Sequence, residues 1–183
     1  MRRPFRLFGY FTPWEWGLWL FSVLGILLSF FLFDGGAPLR LLASLVGVTS
    51  ILLNAKGNPI GQLLMIIFSI TYGVISYTFN YFGEMITYLG MTMPMSAFAL
   101  VAWLKNPYSG NRAQVKINTL KWKDWALMLV LAAAVTLLFY FVLKHFNTAN
   151  LLMSTISVTT SFIAVYLTFK RSPYFALFYA AND

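Results

Sequence analysis

Leu53-Asn54-Ala55-Lys56-Gly57-Asn58-Pro59-Ile60 returns 114 residues later as Leu167-Thr168-Phe169-Lys170-Arg171-Ser172-Pro173-Tyr174, with Leu, Lys and Pro in register. Each copy closes one apolar run and opens another, and Pro suits the first turn of the helix that follows because its missing N–H has no intrahelical partner there. A second correspondence lies upstream of each copy. Glu15-Trp16 opens the first apolar run and Asp124-Trp125 the fifth, a spacing of 109 residues, so the two halves begin alike once a small loop insertion is allowed.

The runs framed by these marks are Trp14 to Phe33, Leu39 to Leu53, Ile60 to Phe79, Met85 to Leu104, Trp125 to Leu143 and Leu151 to Phe169. A bilayer crossing needs about 20 apolar residues, so most of these read as spans. A seventh run begins at Tyr174. Turn clusters separate them, notably Asp34-Gly35-Gly36-Ala37-Pro38 and Asn80-Tyr81-Phe82-Gly83-Glu84. Pro94 removes a backbone donor inside helix 4 and predicts a kink. Lys105 to Asp124 is the only linker-like stretch. Helices 1 and 5 are separated by an even number of crossings, which makes the halves parallel. The expectation is therefore an all-α polytopic membrane protein, one transmembrane domain over 1–183. A first three-helix repeat (14–79), a linker helix (84–104) and a second, incomplete repeat (125–183) make a SWEET-like 3+1+3 arrangement with six full spans and a truncated seventh. Parallel repeats about an axis along the membrane normal form a transporter architecture, with the solute site near the midplane between the halves.

Composition points the same way. The 183 residues are 60% hydrophobic, 19% aromatic and 10% charged, against roughly 25% charged in a soluble domain. The absence of Cys excludes a disulfide scaffold, a thiolate metal site and a Cys nucleophile. The net charge of +8 is an orientation signal rather than a nucleic-acid footprint. Eleven of the thirteen Lys and Arg residues fall on one side of the predicted spans, and only Arg40 and Lys144 on the other. That bias places the N-terminus in the cytoplasm. Trp14, Trp16, Trp103, Trp122 and Trp125 fall at the same ends, where indole rings anchor at headgroups.

Little acid–base chemistry remains. His145 lies in a predicted outer loop, and no Asp, Glu, Lys or Arg falls in the middle of a span. No enzyme, metal or cofactor is expected, and proton-coupled pumping is disfavoured, since it usually needs an intramembrane charge. The polar residues that enter the spans are neutral. Gln62, Ser69, Gly73, Ser76 and Asn80 share one face of helix 3; Glu84, Tyr88, Met91 and Met95 share one of helix 4; Ser154, Ser157 and Ser161 lie on one side of helix 6. A solute pathway and close helix packing through small residues both account for these faces. Tyr72, Phe175, Phe178 and Tyr179 are the aromatic candidates, and Glu84 at the outer mouth suits attraction of a cation or a helix N-terminal acid.

Leu53-Asn54-Ala55-Lys56-Gly57, Phe82-Gly83-Glu84, Met93-Pro94-Met95, Trp103-Leu104-Lys105-Asn106-Pro107 and the final Ser172-Pro173-Tyr174 to Ala181-Asn182-Asp183 together resemble the PnuC family of bacterial nicotinamide riboside transporters. The resemblance implies seven helices in a 3+1+3 order, facilitated diffusion of the vitamin for NAD biosynthesis, trapping by cytoplasmic phosphorylation and a homotrimer. Family members carry a Trp-x-x-Trp pair entering the last helix with a polar residue four positions on; Phe175, Phe178 and Asn182 occupy those places here. The candidate binding residues are Gln62, Tyr72, Asn80, Glu84 and Tyr88 from the spans themselves, and Phe175, Phe178 and Asn182 from the resemblance. Thiamine or riboflavin carriage within the family, and a non-transporting membrane scaffold or assembly factor, are the alternatives. The repeat spacing maps helix 3 onto a helix 7 reaching beyond Asp183, so the expectation is a gene that continues past that residue.

Overall fold

The structure is a computed structural model and describes residues 10–33, 37–148 and 150–182. Among the described residues, six helices are long and apolar enough to cross a membrane. They are α1 (Pro13–Phe33), α2 (Pro38–Ala55), α3 (Pro59–Thr78), a composite span Phe82–Lys105, α6 (Trp122–His145) and α7 (Leu151–Phe169). The composite span consists of α4 (Phe82–Thr87), a π-helical turn over Tyr88–Thr92 and α5 (Met93–Lys105). Pro94 explains the break. It offers no N–H, and the preceding Met93 N–H donates to the Tyr88 carbonyl five residues back, so the kink expected at Pro94 takes the form of one π turn just before it. A short α8 (Phe175–Asn182) follows.

The seam of the bundle runs through α2, α3, α5 and α7. α7 is the most enclosed span, whereas α1 has no buried residue and lies against α2, where the Trp19 indole donates to Thr49 Oγ1 at 3.1 Å. α2 and α3 meet closely at Gly61: a Cβ there would come within 2.7 Å of the Asn54 backbone nitrogen. The main core unites Met91 of the π turn with Met128, Phe139, Phe162, Tyr166 and Leu167 of α6 and α7.

The two repeated segments adopt the same local structure. Gly57 (φ +69°) and Arg171 (φ +60°), 114 residues apart, are both left-handed. Asn58 N donates to Leu53 O and Ser172 N to Leu167 O, each at 2.9 Å, which closes α2 and α7 with the same Schellman-type cap. The lysines one residue earlier reach the acids that open α1 and α6. Lys56 Nζ lies 2.9 Å from Glu15 Oε2, and Lys170 Nζ lies 2.8 Å from Asp124 Oδ1. Hydrogen bonding to Asp124 holds the Lys170 ammonium above its usual pKa. Each acid also accepts from a backbone N–H at its helix start, Thr12 at 2.7 Å for Glu15 and Lys121 at 3.1 Å for Asp124. Pairs that stay open to solvent add little stability; their value lies in fixing which helix ends meet.

Lys105 to Asp124 is more ordered than the linker its composition suggests. β1 (Pro107–Tyr108) and β2 (Asn111–Val115) form an antiparallel hairpin. The strand then runs as a crossbar over both caps: Val115 N donates to Gly57 O at 2.9 Å, and Asn118 N donates to Arg171 O at 3.0 Å. Tyr10 ties in the start of α1 by donating to Ala113 O at 3.0 Å. Trp103 corrects the headgroup-anchor expectation. It is 1% exposed and donates from Nε1 to Thr168 O at 2.8 Å, so it joins α5 to α7, whereas Trp14 and Trp122 are exposed as an interfacial ring should be.

Gly57 and Arg171 give a contrast that tests this cap. Gly57→Ala should lower stability by about 1–2 kcal/mol, because the left-handed backbone penalises a Cβ and that Cβ would meet Val115 Cγ1 at 3.2 Å. Arg171→Gly should leave stability unchanged or raise it by up to about 1 kcal/mol. Thermal unfolding in detergent reads both signs; equal losses would contradict the matched geometry.

Candidate substrate-binding site

The residues singled out from the sequence fall into three places. Gln62, on the second turn of α3, is 2% exposed and donates from Nε2 to Asn54 Oδ1 at 2.9 Å. Ser50 Oγ in turn donates to Gly61 O at 2.9 Å. This buried polar chain binds α2 to α3, and Gln62 is absorbed in it. Asn80 is exposed and left-handed (φ +59°); it closes α3, with its N–H donating to Tyr77 O at 3.1 Å.

The second place is aromatic. Phe68 and Tyr72 stack along α3 with centroids 5.6 Å apart, one helical turn being the spacing that brings i and i+4 together. Tyr88 enters from the π turn, 4.5 Å from Tyr72 and 5.8 Å from Phe68. Glu84, exposed one turn before Tyr88, is close enough to act electrostatically on the Tyr72 hydroxyl. Thr92 supports the turn by donating to Thr87 O at 3.4 Å. Three predicted residues, Tyr72, Tyr88 and Glu84, therefore come together as two phenol rings beside a carboxylate.

The third place is on α7 and α8. Ser157, Thr160 and Ser161 converge on Asn182 Oδ1 at 3.0, 2.7 and 3.1 Å. Phe175 and Phe178 pack, half-buried, against the main core, which includes Met91. The π turn stands between the last two places. It sends Tyr88 toward α3 and Met91 into the core that Phe175 and Phe178 cover. No group of three His, Cys, Asp or Glu able to hold a metal occurs among the described residues.

The model of the nicotinamide mononucleotide transporter family matches residues 37–183. The chain belongs to this family. The family is one of transporters rather than enzymes, and this member is an all-helical, multi-pass membrane protein. A curated relative, the nicotinamide riboside transporter PnuC of Neisseria mucosa (strain ATCC 25996 / DSM 4631 / NCTC 10774 / M26), is 28% identical over 169 residues, 91% of this chain and 64% of the relative. The chain thus spans less than two thirds of that relative's length. The crystal structure of the vitamin B3 transporter PnuC superposes with a TM-score of 0.79 over 94% of this chain and 74% of that one, at 23% identity, which shows a common fold.

Sequence reasoning missed Asn54 as the partner of Gln62 and Thr160 as a partner of Asn182. The first had a signal, since Asn54 lies in the repeated segment; the second had none, because the contact joins residues 22 positions apart across a turn. The two polar groups should respond differently to truncation. Gln62→Ala leaves a buried acceptor without its donor and should cost about 1–3 kcal/mol. Asn182→Ala should cost less than about 1 kcal/mol, because the Thr160 hydroxyl also reaches Ile156 O at 3.2 Å and Ser157 O at 3.0 Å. Denaturant unfolding in detergent micelles compares them, and a larger loss for Asn182→Ala would assign it a packing role.

Proposed function

We propose that the chain carries nicotinamide riboside across a bacterial plasma membrane by facilitated diffusion, with its N-terminus in the cytoplasm, and so supplies NAD biosynthesis. The observation that carries this reading is the Tyr72–Tyr88 ring pair beside Glu84. A pyridinium ring is attracted to the face of a phenol and to a carboxylate. Ribose hydroxyls and a carboxamide suit the amide and hydroxyls of Asn182, Ser157, Thr160 and Ser161 on the other side of the π turn. The orientation is supported by the eleven-to-two bias in Lys and Arg.

The descriptions of the family and of the curated relative differ by a phosphate, and the chemistry of the spans favours the nucleoside over the nucleotide. A phosphate adds a charge of roughly −1.5 to −2, which would call for an intramembrane cation. No Lys or Arg lies in the middle of a span. The same lack of intramembrane charges favours an uncoupled carrier over a proton-driven one.

Uptake of labelled nicotinamide riboside into liposomes containing only this protein is the deciding experiment. Saturable uptake that needs no imposed proton gradient is expected, with little uptake of nicotinamide mononucleotide. Transport of thiamine or riboflavin in its place would move the substrate within the family, and no transport by folded protein, with a stoichiometric partner in pull-downs, would favour a scaffold. Tyr88→Ala should weaken nicotinamide riboside binding by a factor of several to about thirty, the range expected for loss of one cation–π face of about 1–2 kcal/mol. Glu84→Gln should slow uptake more at low than at high ionic strength, since an exposed carboxylate steers a cation only within a Debye length of about 10 Å at 0.1 M salt; a salt-independent loss would remove the steering role.

A further inference from the structure

Two grooves open sideways from the bundle, each between the first two helices of one half. One, of about 380 Å³, lies between α1 and α2 and includes Ser22, Gly25, Ser29, Ser44 and Arg40 in its lining. The other, of about 520 Å³, lies between α6 and α7 and includes Ala132, Thr136, Tyr140, Thr155 and Thr159. Each has a cation at the same end of the bundle. Arg40, in the first turn of α2, holds its guanidinium 5.6 Å from the Phe79 ring centroid. Lys144, in the last turn of α6, places its ammonium 6.0 Å from the Tyr140 ring. Among the described residues, these two basic side chains stand apart from the basic end.

We propose that each groove holds one anionic phospholipid, with its phosphate on Arg40 or Lys144 and an acyl chain in the trough below. Helix-terminal Arg and Lys sit at headgroup depth, where their charge complements a phosphodiester. The trough beneath Lys144 asks nothing polar of its occupant. Thr136 and Thr159 meet at 2.7 Å, and Thr136, Thr155 and Thr159 each donate to the carbonyl four residues back at 2.7–2.8 Å. Their methyl groups are left for hydrocarbon. Beneath Arg40, Ser44 lies one turn deeper on α2 and Ser29 one turn before the end of α1, the depth of the glycerol ester carbonyls, which accept hydrogen bonds. A polar solute is the weaker occupant of either groove, because the neutral polar cluster around Asn182 occupies a different face of α7 (Ser157, Thr160 and Ser161) from Thr155 and Thr159.

Native mass spectrometry of the full chain, delipidated in mild detergent and titrated with phosphatidylglycerol, tests this. Wild type should retain two lipids, Arg40→Gln and Lys144→Gln one each, and the double variant none, with affinity at the altered site reduced at least ten-fold. Arg40→Lys should restore binding, and Lys123→Gln, at the opposite end, should keep both lipids. Ala133→Leu, an exposed position in the lining of the same groove that leaves Lys144 in place, should remove one lipid. The thermal shift produced by phosphatidylglycerol should vanish in the double variant while the lipid-free transition stays put, which separates lost binding from lost folding. Unchanged retention in the double variant, equal retention of phosphatidylethanolamine, or displacement by inorganic phosphate alone would overturn the proposal. So would efficient disulfide cross-linking of Thr136→Cys between copies, which would give the larger groove to a second chain.

Discussion

Where α2 and α7 stop, their last carbonyls need donors that the helices cannot supply, and the bundle is organised around how that need is met. Both helices turn through a left-handed residue, Gly57 or Arg171. The carbonyls of those two residues then accept from Val115 and Asn118 of one crossbar. A strand from the middle of the chain thus holds the matched corners of both halves, and the Glu15–Lys56 and Asp124–Lys170 pairs bring the first helix of each half to the same corner. A membrane gives little hydrophobic drive for helices to associate with each other, so such polar terminations and close backbone approaches do more of the positioning than they would in water.

The candidate site follows from a local failure of α-helical hydrogen bonding. Pro94 cannot donate, the Met93 N–H reaches five residues back, and the resulting π turn adds a residue to the span without breaking it. Tyr88 is thereby set against Tyr72, while Met91 enters the core that Phe175 and Phe178 cover. An aromatic face beside a carboxylate lies on one side of the turn and an amide ringed by hydroxyls on the other, and the proposed carriage of an aromatic cation bearing a sugar rests on this pairing.

The second half is not a copy of the first in detail. Gly57 occupies its left-handed corner without penalty, whereas Arg171 takes the same backbone with a side chain. Asn58 caps α3 by accepting from Ile60 N at 2.9 Å, while its counterpart Ser172 is buried with no partner for its hydroxyl. The first half is therefore the more completely hydrogen-bonded of the two at this corner. The π turn lies in the span between the halves, and the two grooves differ in lining, with serines and Arg40 in the first and threonines in the second.

The amino-acid sequence by itself determined the membrane class, the placing of the spans and the matched ends of the two halves, because these depend on local quantities: the length of an apolar run, a Pro at a helix start, a turn cluster, an acid or lysine at a helix end. Leu151–Phe169 was legible to the residue for that reason. Glu84 and Tyr88 stand out as candidates from a shared helix face, and Tyr72 as an aromatic ring near the middle of its span. What only the tertiary structure decided depends on partners distant in sequence. Trp103 looks like an interfacial anchor until the Thr168 carbonyl, 65 residues away, is seen to receive its N–H. Gln62 looks like a lining residue until Asn54 takes its amide, and Lys105 to Asp124 looks like a polar linker until the Gly57 and Arg171 carbonyls give its N–H groups acceptors. A polar side chain reads the same in sequence whether it will meet a solute, a lipid or a carbonyl; only packing selects among them, because a buried polar group must be paired and the pairing is a property of the whole fold.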